Sequence, residues 1–166
     1  MKTFCCTTMI TVFLLCCSFG IKAQTMQTRL NQVELMKQWI GIWKAEIGED
    51  RTFLIDCKSF NKGLEFYIKK ETKGKIIVDW KTLVGYDKNN DKLIEAAIYG
   101  NNPAMILYSL WFTSANKCEE ILLKDVANPD KATNKWAFEF KSPDLLIWTD
   151  LVNNKSTNTY TFHREN

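Results

Sequence analysis

The chain contains few of the side chains that catalyse reactions or bind metals. Its 166 residues include one histidine, His163, and only two cysteines follow residue 23, which together are too few ligands for a zinc site. No G-x-S-x-G, H-E-x-x-H or glycine-rich phosphate loop occurs. Without an inward-facing histidine, a serine or cysteine nucleophile lacks its usual base. We therefore predict no metal site, no cofactor and no catalytic residue.

The chain also lacks a strong excess of charge of either sign. It has 22 basic and 19 acidic residues, a net charge of +3, and no basic stripe. This composition does not favour nucleic-acid binding. Beyond the first 23 residues, no segment approaches the ~20 apolar residues that cross a bilayer, so we do not expect an integral membrane protein. No repeat or linker divides the chain.

The first 23 residues have the pattern of a secretory signal peptide. Lys2 is followed by a charge-free, largely apolar run over residues 3–20, and Ala23 precedes a predicted cleavage site at Gln24. Removing 23 of 166 residues leaves a domain of 143, residues 24–166, with 20 basic and 19 acidic side chains. We predict a secreted or periplasmic protein. A retained membrane anchor and lipidation at Cys17 are the alternatives.

Two cysteines remain in the predicted mature chain, Cys57 and Cys118. An exported protein could oxidise them to a disulfide. Their predicted strands are distant from each other, which favours two free, buried thiols. The sequence leaves both states open.

The mature chain reads as one helix followed by ten strands. Apolar residues spaced by three and four predict a helix over 27–40, ending near Gly41. Period-two alternation between turn clusters then predicts strands, at 42–47, 52–60, 64–71, 76–86, 92–99, 105–113, 118–126, 135–141, 145–151 and 157–164. Hairpin-length connections favour an all-β, closed antiparallel up-and-down barrel, with a β-sandwich as the alternative. The sixth strand is apolar on both faces, and we expect the helix to cover its outer face.

Alternation also predicts which side chains face the barrel interior. The inward set includes six aromatic residues that would line a pocket for a small apolar ligand: Phe66, Trp80, Trp136, Phe138, Trp148 and Tyr160. Asp150 is expected to face inward beside Trp148. His163 alternates with its inward neighbours and is expected on the outer face.

A short motif follows the predicted helix. Gly41-Ile42-Trp43 resembles the G-x-W signature of lipocalins and their calycin relatives, and the C-terminal Arg164 occupies the place of an arginine that often stacks on that tryptophan. With a Gly-Tyr-Asp turn at 85–87, the whole mature chain resembles the lipocalin-like proteins exported by bacteria. The resemblance implies a barrel that binds a small apolar molecule. Ten strands exceed the eight of an ordinary lipocalin, and the haem binding of some ten-stranded relatives would require an inward His163.

The same residues have a structural interpretation. Gly41 would allow the helix to approach the barrel closely. Trp43 would plug one end, with the Arg164 guanidinium within ~6 Å of its ring.

Three functions are therefore compatible with the sequence. The first is an extracytoplasmic protein that binds a small apolar ligand, and the second is a filled barrel whose outer surface binds a protein or envelope partner. A cavity enzyme such as an isomerase is the third. A cavity above a few hundred Å³ would favour the first, and a packed interior with an exposed apolar patch would favour the second.

Overall fold

A computed structural model of the protein describes residues 29–165. The predicted signal peptide and the first two residues of the predicted helix lie outside this range. The helical segment is shorter than predicted: α1 spans Gln32–Leu35 and continues as a 3-10 helix over Met36–Trp39. Asn31 caps α1, because its side chain accepts a hydrogen bond of 3.1 Å from the backbone N–H of Glu34. This cap fixes the start of the helix at residue 32 rather than 27.

Ten antiparallel strands follow and form a closed barrel. They are β1 (Gly41–Gly48), β2 (Arg51–Phe60), β3 (Gly63–Thr72), β4 (Lys75–Asp87), β5 (Lys92–Tyr99), β6 (Asn102–Ser114), β7 (Lys117–Leu122), β8 (Asn134–Ser142), β9 (Leu145–Val152) and β10 (Lys155–Glu165). Each strand pairs with its neighbours in the sequence, and β1 pairs with β10 to close the ring. The predicted all-β barrel is confirmed, and the sandwich alternative is wrong.

Inward and outward faces follow the predicted alternation on the most clearly patterned strands. On β8, Phe138 and Phe140 are buried, and Trp136 is half-buried against the core. On β1, Trp43 and Ala45 are buried. A shift of one residue would move these side chains to solvent, so the aromatic pattern fixes the register.

The helix was expected to cover the outer face of the sixth strand, but a different segment covers part of it. The strand predicted at 118–126 ends at Leu122, and the connection from β7 to β8 contains two short 3-10 helices, Leu123–Asp125 and Pro129–Lys131. The first of them packs against β6. Here the outward-facing Ser109 and Ile121 pair across β6 and β7 and are completely buried. The connection therefore covers this part of the outer face, whereas α1 contacts β6 near Phe112, toward the end of the strand.

The helical segment instead closes one end of the barrel. Trp39 packs edge-on against Phe138 and Phe140, with ring centroids 4.9 and 5.1 Å away. Gln32 binds the backbone of Phe112 near the end of β6, through one hydrogen bond of 3.1 Å and one of 2.7 Å. We call this the closed end, and the opposite end, where β3 ends and β10 begins, the mouth.

Candidate functional site

The barrel interior contains a cavity of ≈ 170 Å³ between the closed end and the mouth. All six aromatic residues predicted to line a pocket do line it: Phe66, Trp80, Trp136, Phe138, Trp148 and Tyr160. Phe66 and Phe138 are buried, whereas the other four are half-buried. Lys70 and Asp150, near the mouth ends of β3 and β9, also line the cavity. The cavity therefore opens toward the mouth.

The aromatic walls are held by contacts between neighbouring rings. Trp80 stacks on Tyr99 with centroids 5.3 Å apart, and Tyr108 meets Trp136 edge-on at 5.4 Å. Phe138 packs against Trp148 at 4.9 Å. Such pairs prefer offset or edge-on geometry, so neighbouring rings favour the observed orientation of each wall residue.

Two charged side chains lie on the mouth side of the cavity. The Lys70 ammonium lies 4.3 Å from the Phe53 ring centroid and 4.8 Å from that of Tyr160, and burial lowers the pKa of Lys70. Asp150 faces inward as predicted, and its carboxylate accepts a 2.8 Å hydrogen bond from the Trp148 indole N–H. The mouth is thus amphipathic rather than purely apolar.

The deeper wall carries two glutamates, Glu95 on β5 and Glu120 on β7. They flank β6, where Glu95 pairs with Tyr108 on one side and Glu120 pairs with Leu110 on the other. Burial raises the pKa of Glu95 to about 7. Burial, together with the nearby charge of Glu95, raises the pKa of Glu120 well above its usual range.

The hydroxyl groups of Thr82, Tyr99 and Tyr108 lie near these carboxyls. The Tyr99 and Tyr108 hydroxyls lie 3.0 Å apart and share one hydrogen bond. Burial raises the pKa of both phenols, so both stay neutral at physiological pH. Thr82 is close enough to Glu95 to oppose the rise of the Glu95 pKa. The buried Thr82 hydroxyl nevertheless forms no hydrogen bond of normal geometry.

Sequence reasoning missed the charged and hydroxyl part of this cavity, which includes Lys70, Glu95 and Glu120. Both faces of β5 and β7 carry apolar residues, so alternation alone does not say which face is inside. A usable signal was the register of the β4–β5 hairpin. Val84 lies on the same face of β4 as Trp80, which was predicted to face inward, and Val84 pairs with Glu95.

The G-x-W residues and the C-terminal arginine meet at the closed end. Trp43 pairs with Arg164 across β1 and β10, and the guanidinium carbon lies 4.0 Å from the indole centroid. Arg164 also donates hydrogen bonds to the carbonyls of Gln38 and Ile40, just before Gly41. Gly41 has φ +133°, and a side chain there would collide with the guanidinium. Arg164 therefore connects the helical segment to the paired strands β1 and β10 that close the barrel.

Other candidate groups do not form a site. His163 is exposed on the outer face of β10. Cys57 and Cys118 are free and buried on β2 and β7, where burial raises both thiol pKa values. Between residues 29 and 165, no three His, Cys, Asp or Glu side chains come together as a metal site would need. In the same range, no helix has the length and apolar character to cross a bilayer.

Two comparisons with known proteins found no match for the chain. No family model matches it. No curated protein matches it either. The fold itself, a closed ten-stranded antiparallel barrel, is compatible with a lipocalin-like protein.

Proposed function

We propose that the protein is an exported, lipocalin-like binding protein that holds one small, largely apolar molecule inside its barrel. The observation that carries the proposal is the aromatic cavity, whose volume of ≈ 170 Å³ is smaller than the few hundred Å³ expected from the sequence and restricts the ligand to a small molecule. A dry cavity of ~150 Å³ is large enough to bind benzene. The ligand is therefore about the size of one substituted aromatic ring, and smaller than the molecules that fill pockets of ~300–1,000 Å³.

The lipocalin-like interpretation is supported by the closed end. The Gly41–Trp43 motif follows the helical segment directly, and Arg164 stacks on Trp43. Export is supported by the sequence of residues 1–23 alone. N-terminal sequencing of protein from the native host should find a chain that begins at or near Gln24, and an intact N-terminus on secreted protein would contradict export.

Ligand binding is tested with a neutral probe of the right size, 2-phenylethanol, by isothermal titration calorimetry. We expect saturable binding with one molecule per barrel. Leu110 lines the cavity, so Leu110→Trp should fill it and abolish binding. Ile98→Trp is the matched control, because Ile98 lies on the outer face and is 47% exposed. Circular dichroism would verify that both variants fold.

Two outcomes would contradict ligand binding. One is the absence of saturable binding to the wild type. The other is equal loss of binding in the two tryptophan variants, which would place the probe outside the barrel. If the wild type does bind the probe, native mass spectrometry of protein from the native host would identify the natural ligand.

The outer surface favours a second candidate function, the binding of a protein partner. Four exposed apolar side chains lie together on β4, β5 and β6: Leu83, Ile98, Met105 and Leu107, which are 49, 47, 60 and 41% exposed. Met105 pairs with Ile98, and Leu107 and Leu83 both pair with Ala96. Photo-crosslinking from position 107 in the native host tests this candidate, since a bound partner should be captured and Met105→Lys should abolish its capture.

A further inference from the structure

The deep wall of the cavity carries two carboxyls without a cationic partner. Glu120 is only 8% exposed, Glu95 is half-buried, and both line the cavity. In the part of the chain that the structure describes, neither forms a salt bridge, and no Lys or Arg contributes to the pKa of either carboxyl. Two interacting carboxylates that are largely removed from water are unfavourable unless a positive charge or protons accompany them.

The surroundings of the pair are suited to a cation. Across the sheet, Tyr108 pairs with Glu95, and Trp136 pairs with Glu120. The Tyr108 hydroxyl is hydrogen-bonded to that of Tyr99. Aromatic faces attract a positive charge, most strongly when water is excluded. Charge-assisted hydrogen bonds to carboxylates are about twice as strong as neutral ones. Oxygen acceptors and aromatic rings thus surround one region of the cavity.

The charges at the mouth do not compensate for this pair. Lys70 interacts with Asp150, whose charge partly offsets the lowering of its pKa by burial, and its ammonium lies over the rings of Phe53 and Tyr160. The cavity therefore has a mixed-charge mouth and an acidic deep wall.

We infer that the ligand is a small aromatic amine, whose ammonium group lies between Glu95 and Glu120 and whose ring packs against Trp80, Trp136 and Phe138. This inference rests on the proposed function and adds the charge and orientation of the ligand. When the ammonium binds, any proton that Glu95 or Glu120 still holds passes to the solvent, and the ammonium charge takes its place. The cavity volume limits the amine to about one ring with a short chain.

The test compares three probes of nearly equal size: 2-phenylethylamine, 2-phenylethanol and phenylacetate. Calorimetric titration of the full mature chain at pH 8 measures each dissociation constant. We expect the amine to bind at least about tenfold more tightly than the alcohol, as a charge-assisted hydrogen bond would provide. Phenylacetate should bind most weakly.

Neutral variants locate the origin of this preference. Glu95→Gln and Glu120→Gln preserve the shape of the side chain and remove its charge, so each should reduce the preference for the amine. The double variant should abolish this preference and still bind the alcohol. Glu119→Gln is the matched control, because Glu119 precedes Glu120 on β7 but is exposed on the outer face. It should bind like the wild type.

The outcomes separate the inference from the proposed function. Equal affinity for amine and alcohol would overturn the inference and leave interior binding intact. Preference for phenylacetate would also overturn it and would assign the charged contact to Lys70. Failure of all three probes to bind would overturn both. An amine preference that persists in the double variant would place the ammonium elsewhere and contradict the assignment to Glu95 and Glu120.

Discussion

Glu95→Gln should stabilise the protein at alkaline pH and have little effect in mild acid. The pKa of Glu95 rises from the ordinary 4.5 to about 7 in the folded state. Between these values the folded protein binds more protons than the unfolded chain, so the free energy of unfolding decreases as pH rises. The stability that the protonated Glu95 carboxyl contributes is fully present below about pH 4.5 and is lost as the pH increases through 7.

The size of the effect follows from the shift. At ~1.4 kcal/mol per pKa unit, a rise from 4.5 to about 7 corresponds to about 3 kcal/mol of lost stability at pH 8. For a domain of this length, that difference should raise the melting temperature of Glu95→Gln over the wild type by about 10 °C at pH 8. Because Glu120 interacts with Glu95, the measured midpoint belongs to the pair.

Urea unfolding monitored by circular dichroism from pH 5 to pH 8 measures this effect. The difference between Glu95→Gln and the wild type cancels the contributions of all groups that they share. Surface carboxyls with lowered pKa values, such as Asp87 and Asp91, are already ionised in this range. Glu119→Gln should give a flat difference. A flat difference for Glu95→Gln as well would show that its carboxyl is hydrated and would refute the burial argument.

Two further predictions concern the closed end and the thiols. Trp43→Ala should lose about 3–5 kcal/mol in urea unfolding, because it empties a fully buried site, and Arg164→Ala should lose less. A double-mutant cycle should show coupling of about 1 kcal/mol between them, and strictly additive losses would mean that the stacked geometry contributes nothing. Reductant should leave the melting temperature unchanged, because Cys57 and Cys118 are free on β2 and β7, and a decrease of several degrees would reveal a disulfide.

Much of the fold could be predicted from the sequence, because several strands carry a strict period-two pattern. On β8, Trp136 and Phe138 alternate with Lys135, Ala137 and Glu139, so only one register buries the aromatic face. An even number of antiparallel strands also brings the start of β1 beside the end of β10. The proximity of Trp43 and Arg164 follows from that even count together with closure of the barrel.

The polar part of the cavity could not be predicted in the same way. On β7, two consecutive glutamates are followed by Ile121 and Leu122, so either parity places one acid and one aliphatic residue inside. The aliphatic Ile121 is in fact buried from outside, by a connection whose position depends on tertiary packing. Apolar character therefore did not mark the inward face of this strand, and Glu120 was missed.

The acidic pair is difficult to explain as a means of stabilising the barrel. Neutral side chains of similar size at positions 95 and 120 would avoid the desolvation that now raises the pKa values of both carboxyls. Functional sites often retain such locally unfavourable groups, and stability is lost where they are desolvated. An ammonium ligand would convert the same desolvation into affinity, since its charge replaces the missing cation in a cavity from which water is largely excluded. The feature that destabilises the empty barrel at alkaline pH is therefore the one that would select its ligand.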